Sequence, residues 1–350
     1  MYQPIYQITN ELLNKITHIE KLHTQIKSSH ILPERELEMR YRATVEAAHS
    51  STSIEGNPLT IKQVDQVLSN KKPLTRHQYA EIEVRNYSQA LAFIDKRKTT
   101  NKKLRVKDIL DIHKIVAQDL LENEKTGFWR TNPVYIEDHH GKAVYSGALP
   151  KIVPQEVEKL LQWLNTQASE LHPIIAAAIL HFQFISIHPF ADGNGRTTRL
   201  LTSLYLGLRH YDFRSSLVLD SYYAADRKEY YHALQTVSGN NYNIAKKAEL
   251  SSWINYFTNG FLSSATVLAS EVTLITRFSA DMAVMRKISR DGTDLLSYIQ
   301  QFGSITLSEA TSVLPNVPRR TVQRRLKELI DSGYIRSEGM TNNIRYVKAK

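Results

Sequence analysis

Twelve consecutive positions, His188-Pro189-Phe190-Ala191-Asp192-Gly193-Asn194-Gly195-Arg196-Thr197-Thr198-Arg199, hold the densest chemistry in the chain. Gly193 and Gly195 flank Asn194, so successive backbone N–H groups can turn toward one point with no Cβ in the way. The residues that follow predict a helix over about 196–210. Its first N–H groups and the positive end of its dipole would face the same point, which makes an anion cradle suited to phosphate. Arg196 and Arg199 fall one turn apart on that helix and are expected to reach the same phosphates, where the planar guanidinium is the favoured partner. Asp192 can hold Mg²⁺ between phosphate oxygens, since that ion usually takes only one or two protein carboxylates. His188 is the nearby side chain able to accept a proton near neutral pH. Together, at fixed spacing, these features fit one arrangement: base, metal ligand, phosphate cradle and phosphate clamps.

The elements that must position this loop are mostly helices. Ile8, Leu12, Ile16, Ile19, Leu22 and Ile26 form one stripe of a helix over 8–26. Further helices are predicted over 35–53 and, behind Thr60 as N-cap, over 61–69. Another covers 76–95, before a basic connector from Lys96 to Lys103 that places the first boundary near residue 100. A helix at 106–121 gives way at Trp129-Arg130-Thr131-Asn132-Pro133 to an alternating stretch, Val134 to Tyr145, with Gly141 in a polar turn. That pattern predicts a β-hairpin. Helices are expected again at 154–166, 173–187, 226–238 and 245–270. The whole reads as mostly α, divided into an N-terminal helical region (1–100), a core (101–270) and a C-terminal module (285–350).

The twelve-residue segment resembles the signature of the Fic family, His-Pro-Phe-x-Asp/Glu-Gly-Asn-Gly-Arg-x-x-Arg, without a departure at any of its nine specified positions. The resemblance covers roughly residues 1–260 and is strongest at 50–60 and 181–200. It implies a helical core that binds ATP with Mg²⁺ (or Mn²⁺) and transfers AMP to a Ser, Thr or Tyr hydroxyl of a protein, releasing pyrophosphate. His188 would then deprotonate the hydroxyl and Asp192 would ligate the metal. Asn194 with the Gly193 and Gly195 amides would hold the α- and β-phosphates, Arg196 and Arg199 the β- and γ-phosphates, with Thr197 and Thr198 in the same nucleotide-binding run. The hairpin falls where the family carries a flap that pairs with the target, which makes Val134, Tyr135 and Ile136 the expected flap contacts. Tyr230 and Tyr231 lie where the family places aromatics near adenine; neighbours on a helix cannot share a face, so one of them is expected there. Ser238 stands where relatives often have Asn, a departure at that nucleotide contact.

Ser51-Thr52-Ser53-Ile54-Glu55-Gly56-Asn57 resembles the inhibitory motif of the same family. The resemblance implies that Glu55 presents its carboxylate to Arg199 and turns the triphosphate away from in-line attack. A reverse, AMP-removing activity stays open.

The C-terminal module reads differently. Residues 281–350 hold twelve Lys and Arg against seven Asp and Glu, an excess of five positive charges. Helices at 292–302, 306–313 and 319–332, followed by alternating stretches at 334–336 and 344–347, follow the order of a winged helix. Arg319, Arg320, Arg324 and Arg325 on its third helix could meet nucleic-acid phosphates or base edges, and the same module type also serves in docking and dimerisation. Across the chain, 45 basic residues against 35 acidic give +10, which permits nucleotide, nucleic-acid or acidic-protein partners without choosing among them. The absence of cysteine excludes disulfides, thiolate metal sites and cysteine nucleophiles. With no basic start and apolar run at the N-terminus, a cytoplasmic, soluble protein is expected; a homodimer is compatible with this reading. Two other functions stay open: a DNA-binding regulator whose core senses nucleotide, and a transferase of the same family using another nucleotide donor.

Overall fold

The structure is a computed structural model that describes residues 2–69, 78–100, 103–137, 141–280, 289–339 and 344–349. It divides into two compact units, Met1–Thr273 and Leu274–Lys350.

The first unit is helical apart from one hairpin. In chain order it contains α1 (Asn10–Ser28), α2 (Pro33–Ile54), α3 (Ile61–Leu68), α4 (Gln78–Arg97), α5 (Val106–Ala117), β1 (Tyr135–Glu137) and β2 (Ala143–Ser146). Then come α6 (Val153–Asn165), α7 (Pro173–Ile187), α8 (Asn194–Leu208), α9 (Asp220–Ala225), α10 (Arg227–Ser238), α11 (Tyr242–Ala245) and α12 (Ser251–Ala280), of which the residues up to Thr273 belong to this unit. At the centre lies α7, apolar almost all round, with 14 residues buried, from Pro173 to Ile187. A helix with no polar face must be surrounded by protein; α6 and α8 flank it, and Trp253 of α12 donates to Ala178 O at 2.7 Å. Outside this layer, α4 packs on α5 and α8, while α2 packs on α4 and α9.

Local signals explain most of the boundaries. Thr60 caps α3 and Gln63 returns the bond, a capping box that stabilises a helix start by about 1 kcal/mol. Two expectations change. The helix expected over 245–270 starts only at Ser251, because Asn241 caps a separate short turn, α11, and the helix then continues to Ala280. The segment before 226 also forms a helix, α9, which ends at Asp226, itself the N-cap of α10. At the start of the basic connector Arg97 is buried and pairs with Asp108 through Nε (2.7 Å) and Nη2 (2.8 Å), while Lys96 and Lys103 are exposed. The expected hairpin is present, with Tyr135 opposite Ser146 and Ile136 opposite Tyr145; residues 138–140 of its turn lie outside the described residues. Among the described residues no helix is long and apolar enough to cross a membrane.

The second unit contains α13 (Arg290–Phe302), β3 (Ser304–Thr306), α14 (Leu307–Val313), α15 (Arg319–Asp331), β4 (Ile335–Glu338) and β5 (Arg345–Lys348). β5 lies between β3 and β4, antiparallel to both. The sequence reading expected two strands here; β3 is a third, set by Ile305, which is fully buried. Leu295, Ile299, Ile305, Val322, Leu326 and Ile335 are among the residues of this unit's own core.

Candidate active site

α7 ends at His188, which adopts φ 54° and ψ 61°, the left-handed conformation of a helix C-cap. Without glycine's freedom this costs on the order of 1 kcal/mol. The turn is held by its surroundings. His188 N donates to Phe184 O (3.2 Å), and Arg130 donates through Nε to His188 O (2.7 Å). Arg130 also donates through Nη1 to Asn132 O (2.8 Å) and through Nη2 to Ala148 O, so one buried guanidinium ties both ends of the hairpin to the histidine. Gly147 permits this close approach: a Cβ there would lie 2.9 Å from the Cβ of His188 and 3.0 Å from Arg130 Nη2.

The imidazole itself is fixed by a backbone acceptor. His188 Nδ1 lies 3.1 Å from Ile185 O. A carbonyl can only accept, so Nδ1 carries the hydrogen and Nε2 keeps its lone pair. Burial lowers the pKa to about 4, with Ile185 O opposing the shift. The ring is therefore neutral at pH 7 and able to take a proton.

The loop after it is braced from within. Phe190 is buried, stacked on His113 (3.6 Å between ring centroids, 1° between planes) and on Trp129 (5.1 Å). His113 accepts from Gly127 N at Nδ1 (3.0 Å), which leaves Nε2–H to donate to Asp192 O (3.0 Å). Asn194 closes the loop on itself: its Oδ1 accepts from Phe190 N and its Nδ2 donates to Phe190 O, both at 2.9 Å. Its side-chain amide is thus used within the loop, and a phosphate contact at Asn194 would fall to the backbone. Gly193 caps α8 in the left-handed region at φ 73°. The Thr198 hydroxyl donates to Asn194 O inside the helix, and the buried Thr197 Oγ1 has no partner among the described residues. Neither threonine side chain is presented to solvent. The Asp192 side chain is 56% exposed.

The two arginines do not converge. Arg199 is buried and surrounded by acceptors: Ser51 Oγ (2.7 Å), Ser51 O (2.9 Å), Glu55 Oε1 (2.8 Å) and Asp220 Oδ1 (3.3 Å). Burial alone would lower its pKa, but the Glu55 and Asp220 carboxylates more than reverse this, and the net shift is upward. Arg196 is instead held by Glu83 Oε1 at 2.7 Å, with its Nη2 3.6 Å from Asp192 Oδ2. Asp220 also accepts from the buried Tyr87 hydroxyl at 3.0 Å.

Glu55 is the C-cap of α2, followed by Gly56 at φ 98°. Its Oε1 lies directly over the backbone of Gly195: a methyl group at Gly195 would overlap this oxygen and sit 3.1 Å from Arg199 Nη1. A carboxylate thus already rests on the first turn of α8, against the arginine expected to meet phosphate.

The two tyrosines separate as neighbours on a helix must. Tyr230 is buried, stacked on Tyr223 (4.6 Å), with its hydroxyl 3.0 Å from His181 Nε2. Tyr231 is 40% exposed, with Arg227 5.5 Å from its ring centroid. On the hairpin, Tyr135 is exposed, and β1 pairs with β2 along one edge only among the described residues. The partners that the sequence reading missed are Glu83, Arg130, His113 and Asp220; Ser51 was read only as the first residue of the motif that contains Glu55. Only Arg130 carried a local signal, the change of texture at Trp129–Pro133.

Residues 103–206 match the model of the Fic/DOC family. The chain is 30% identical over 193 residues to the protein adenylyltransferase Fic of Drosophila willistoni, covering 53% of this chain and 35% of that one. It therefore spans about a third of the length of this relative. In fold it is similar to a Fic family protein from Desulfovibrio desulfuricans (TM-score 0.65, 22% identity, 99% of this chain and 98% of that one). A Fic domain containing signalling protein from Bacteroides thetaiotaomicron is also similar (TM-score 0.63, 24% identity, 73% and 97%).

Proposed function

We propose, from the premise that this chain carries a Fic domain over residues 103–206, that it is a protein adenylyltransferase held in check by Glu55. The observation that carries this is the pairing of a proton-accepting His188 Nε2 with an α8 N-terminus that already hosts a carboxylate clasped by Arg199. A site that draws an anion there, beside a base, is suited to transfer at phosphorus.

In the reaction, a Ser, Thr or Tyr hydroxyl of the target gives its proton to His188 Nε2. The oxygen attacks the α-phosphorus of ATP, the bond to the bridging oxygen breaks, and pyrophosphate leaves. The neutral, tautomerically fixed ring supports this role. The backbone at Gly193–Gly195 and the end of the α8 dipole would hold the phosphates, and positioning and charge stabilisation supply most of the rate. Asp192 fits a Mg²⁺ (or Mn²⁺) site: its carboxylate is exposed, and no group of three His or acidic residues among the described residues could hold a metal by itself. Such an ion would rely on one carboxylate plus substrate phosphates, as Mg²⁺ commonly does, and it would neutralise phosphate charge. Tyr231, the exposed member of its pair, is the better placed to meet adenine. The free edge of β1, with Val134, Tyr135 and Ile136, suits an extended target segment added as a further strand. At rest Glu55 competes with the γ-phosphate for Arg199, so ATP would bind in an unproductive orientation.

The test is to incubate the Glu55→Gly protein, beside the unchanged one, with Mg²⁺ and ATP labelled at the α- or γ-phosphate, alone and with cell lysate. Covalent α-label without γ-label is expected; covalent γ-label, or none from any common nucleotide, would contradict the reading.

The second unit supports a nucleic-acid role beside this one. Its order of elements is that of a winged helix, and Arg319, Arg320 and Arg324 are exposed along α15, Arg324 with its Nε 3.6 Å from Glu328 Oε1, whereas Arg325 is half-buried between Glu328 (2.9 Å) and Asp291 (3.5 Å). We infer that the first three carry any phosphate contact.

A further inference from the structure

Glu55 is not the only carboxylate holding an arginine of α8. Glu83, on α4, is buried together with Arg196, and its two oxygens have different partners. Oε1 accepts from Arg196 Nη1 at 2.7 Å; Oε2 accepts from Asn57 Nδ2 at 2.8 Å. Asn57 stands two residues after Glu55, at the end of the turn through Gly56. It is firmly seated: its Nδ2 also reaches Ala80 O (2.9 Å), its Oδ1 accepts from Leu59 N (3.1 Å), and its backbone N–H donates to Thr52 O (3.1 Å). Residues 55–57 therefore touch both arginines of the cradle, Arg199 directly and Arg196 through Glu83.

We propose that Glu83 is a positioning residue that keeps Arg196 turned away from the nucleotide phosphates, and that Asn57 couples this hold to the docking of the Glu55 segment. The proposal rests on the adenylyltransferase reading above. Arg196 is not fully satisfied where it lies: its Nε is buried without a hydrogen-bond partner among the described residues, and its Nη2 only approaches Asp192. An orphaned buried donor is costly, and triphosphate oxygens at the end of α8 offer the acceptors it lacks. Arg196 thus has a reason to move when nucleotide arrives, and Glu83 opposes the move. Because Glu83 binds Asn57 with its other oxygen, the two events are linked in both directions. Drawing Arg196 toward phosphate loosens Asn57, and undocking the Glu55 segment loosens Glu83.

The test is calorimetric binding of ATP in excess Mg²⁺ to the full chain, with hydrogen exchange over residues 51–59 as the second readout. Glu83→Gln keeps the shape but replaces a charged acceptor by a neutral one. It is expected to tighten ATP binding about fivefold, the scale of one charged hydrogen bond made neutral, and to speed exchange at 51–59. The gain should vanish in Glu83→Gln with Arg196→Ala. Asn57→Ala should give a smaller gain that does not add to that of Glu83→Gln. A pair that merely joins α4 to α8 predicts instead a lower Tm with unchanged or weaker ATP binding. That result in folded Glu83→Gln would overturn the proposal. If Glu83→Gln does not fold, Asn57→Ala decides: faster exchange with tighter binding supports the link, and no change in either overturns it. Should affinities shift as expected while no variant becomes labelled, the coupling stands and the transferase reading falls. Should Glu55→Gly activate labelling while Glu83→Gln leaves affinity unchanged, the reverse holds.

Discussion

Replacing Glu55 with Gly removes one carboxylate from a guanidinium that has three other acceptors. The Glu55–Arg199 bond is 2.8 Å long, with Arg199 only 1% exposed and the glutamate side chain 30% exposed. A hydrogen bond to a charged group is worth about 1.5–3 kcal/mol, and the partial exposure of Glu55 favours the lower end. Freeing Arg199 for a γ-phosphate should therefore raise the productive population of bound ATP by about tenfold. The stability cost is small, because Ser51 Oγ at 2.7 Å and Asp220 at 3.3 Å still hold the arginine. Glycine at this helix end should cost a further ~0.5–1 kcal/mol. The assay is the initial rate of α-label incorporation, with Glu55→Gln as a control that keeps the backbone preference. Adding Arg199→Ala to Glu55→Gly should abolish the gain. Damaged packing rarely accelerates an enzyme, so a gain reports the released clamp. Unchanged labelling of Glu55→Gly with ATP, GTP, CTP and UTP would refute the reasoning.

Other outcomes follow from the same contacts. Burial lowers the pKa of His113 to about 4 and that of His181 to about 3; the unfolded chain then binds protons that the native state refuses, and stability falls as pH drops below about 6.5. Each ring should contribute a slope of about 1.4 kcal/mol per pH unit, so His181→Asn should flatten urea-measured stability between pH 6 and 4.5 by about that amount; an unchanged slope would sink the argument. Asp192→Ala should weaken Mg²⁺-dependent ATP binding by about tenfold or more while leaving metal-free ATP binding in place, and calorimetry showing equal affinity with and without the mutation in Mg²⁺ would contradict the metal role. DNA binding by the second unit should weaken steeply with salt, and joint replacement of Arg319, Arg320 and Arg324 should reduce the slope of log affinity against log salt by about 3; no shift of genomic fragments at low salt would rule the contact out.

What the sequence could reveal depended on how local each cause was. The cradle lies within twelve residues, so the order of base, turn and helix start could be read directly. Thr60 and the apolar run of α7 gave equally local signals, and the pattern at 134–145 predicted the hairpin. The restraints on the cradle are of another kind. Glu83 and Asp220 reach Arg196 and Tyr87 across 113 and 133 positions, and nothing in the residues around them marks the partner. Helical spacing put Arg196 and Arg199 one turn apart, but the carboxylates that pull them in different directions come from α4 and from the end of α2. β3 escaped notice because three residues between two helices are too few to show alternation.

The central claim is tested most directly by intact-protein mass spectrometry of the Glu55→Gly protein after incubation with Mg²⁺ and ATP, beside the same protein carrying His188→Ala. The account predicts a mass increase of one or more adenylyl groups in the first and none in the second, with ATP affinity within a few-fold between them. Adenylyl addition that persists without His188, or a phosphoryl increment in place of an adenylyl one, would contradict it.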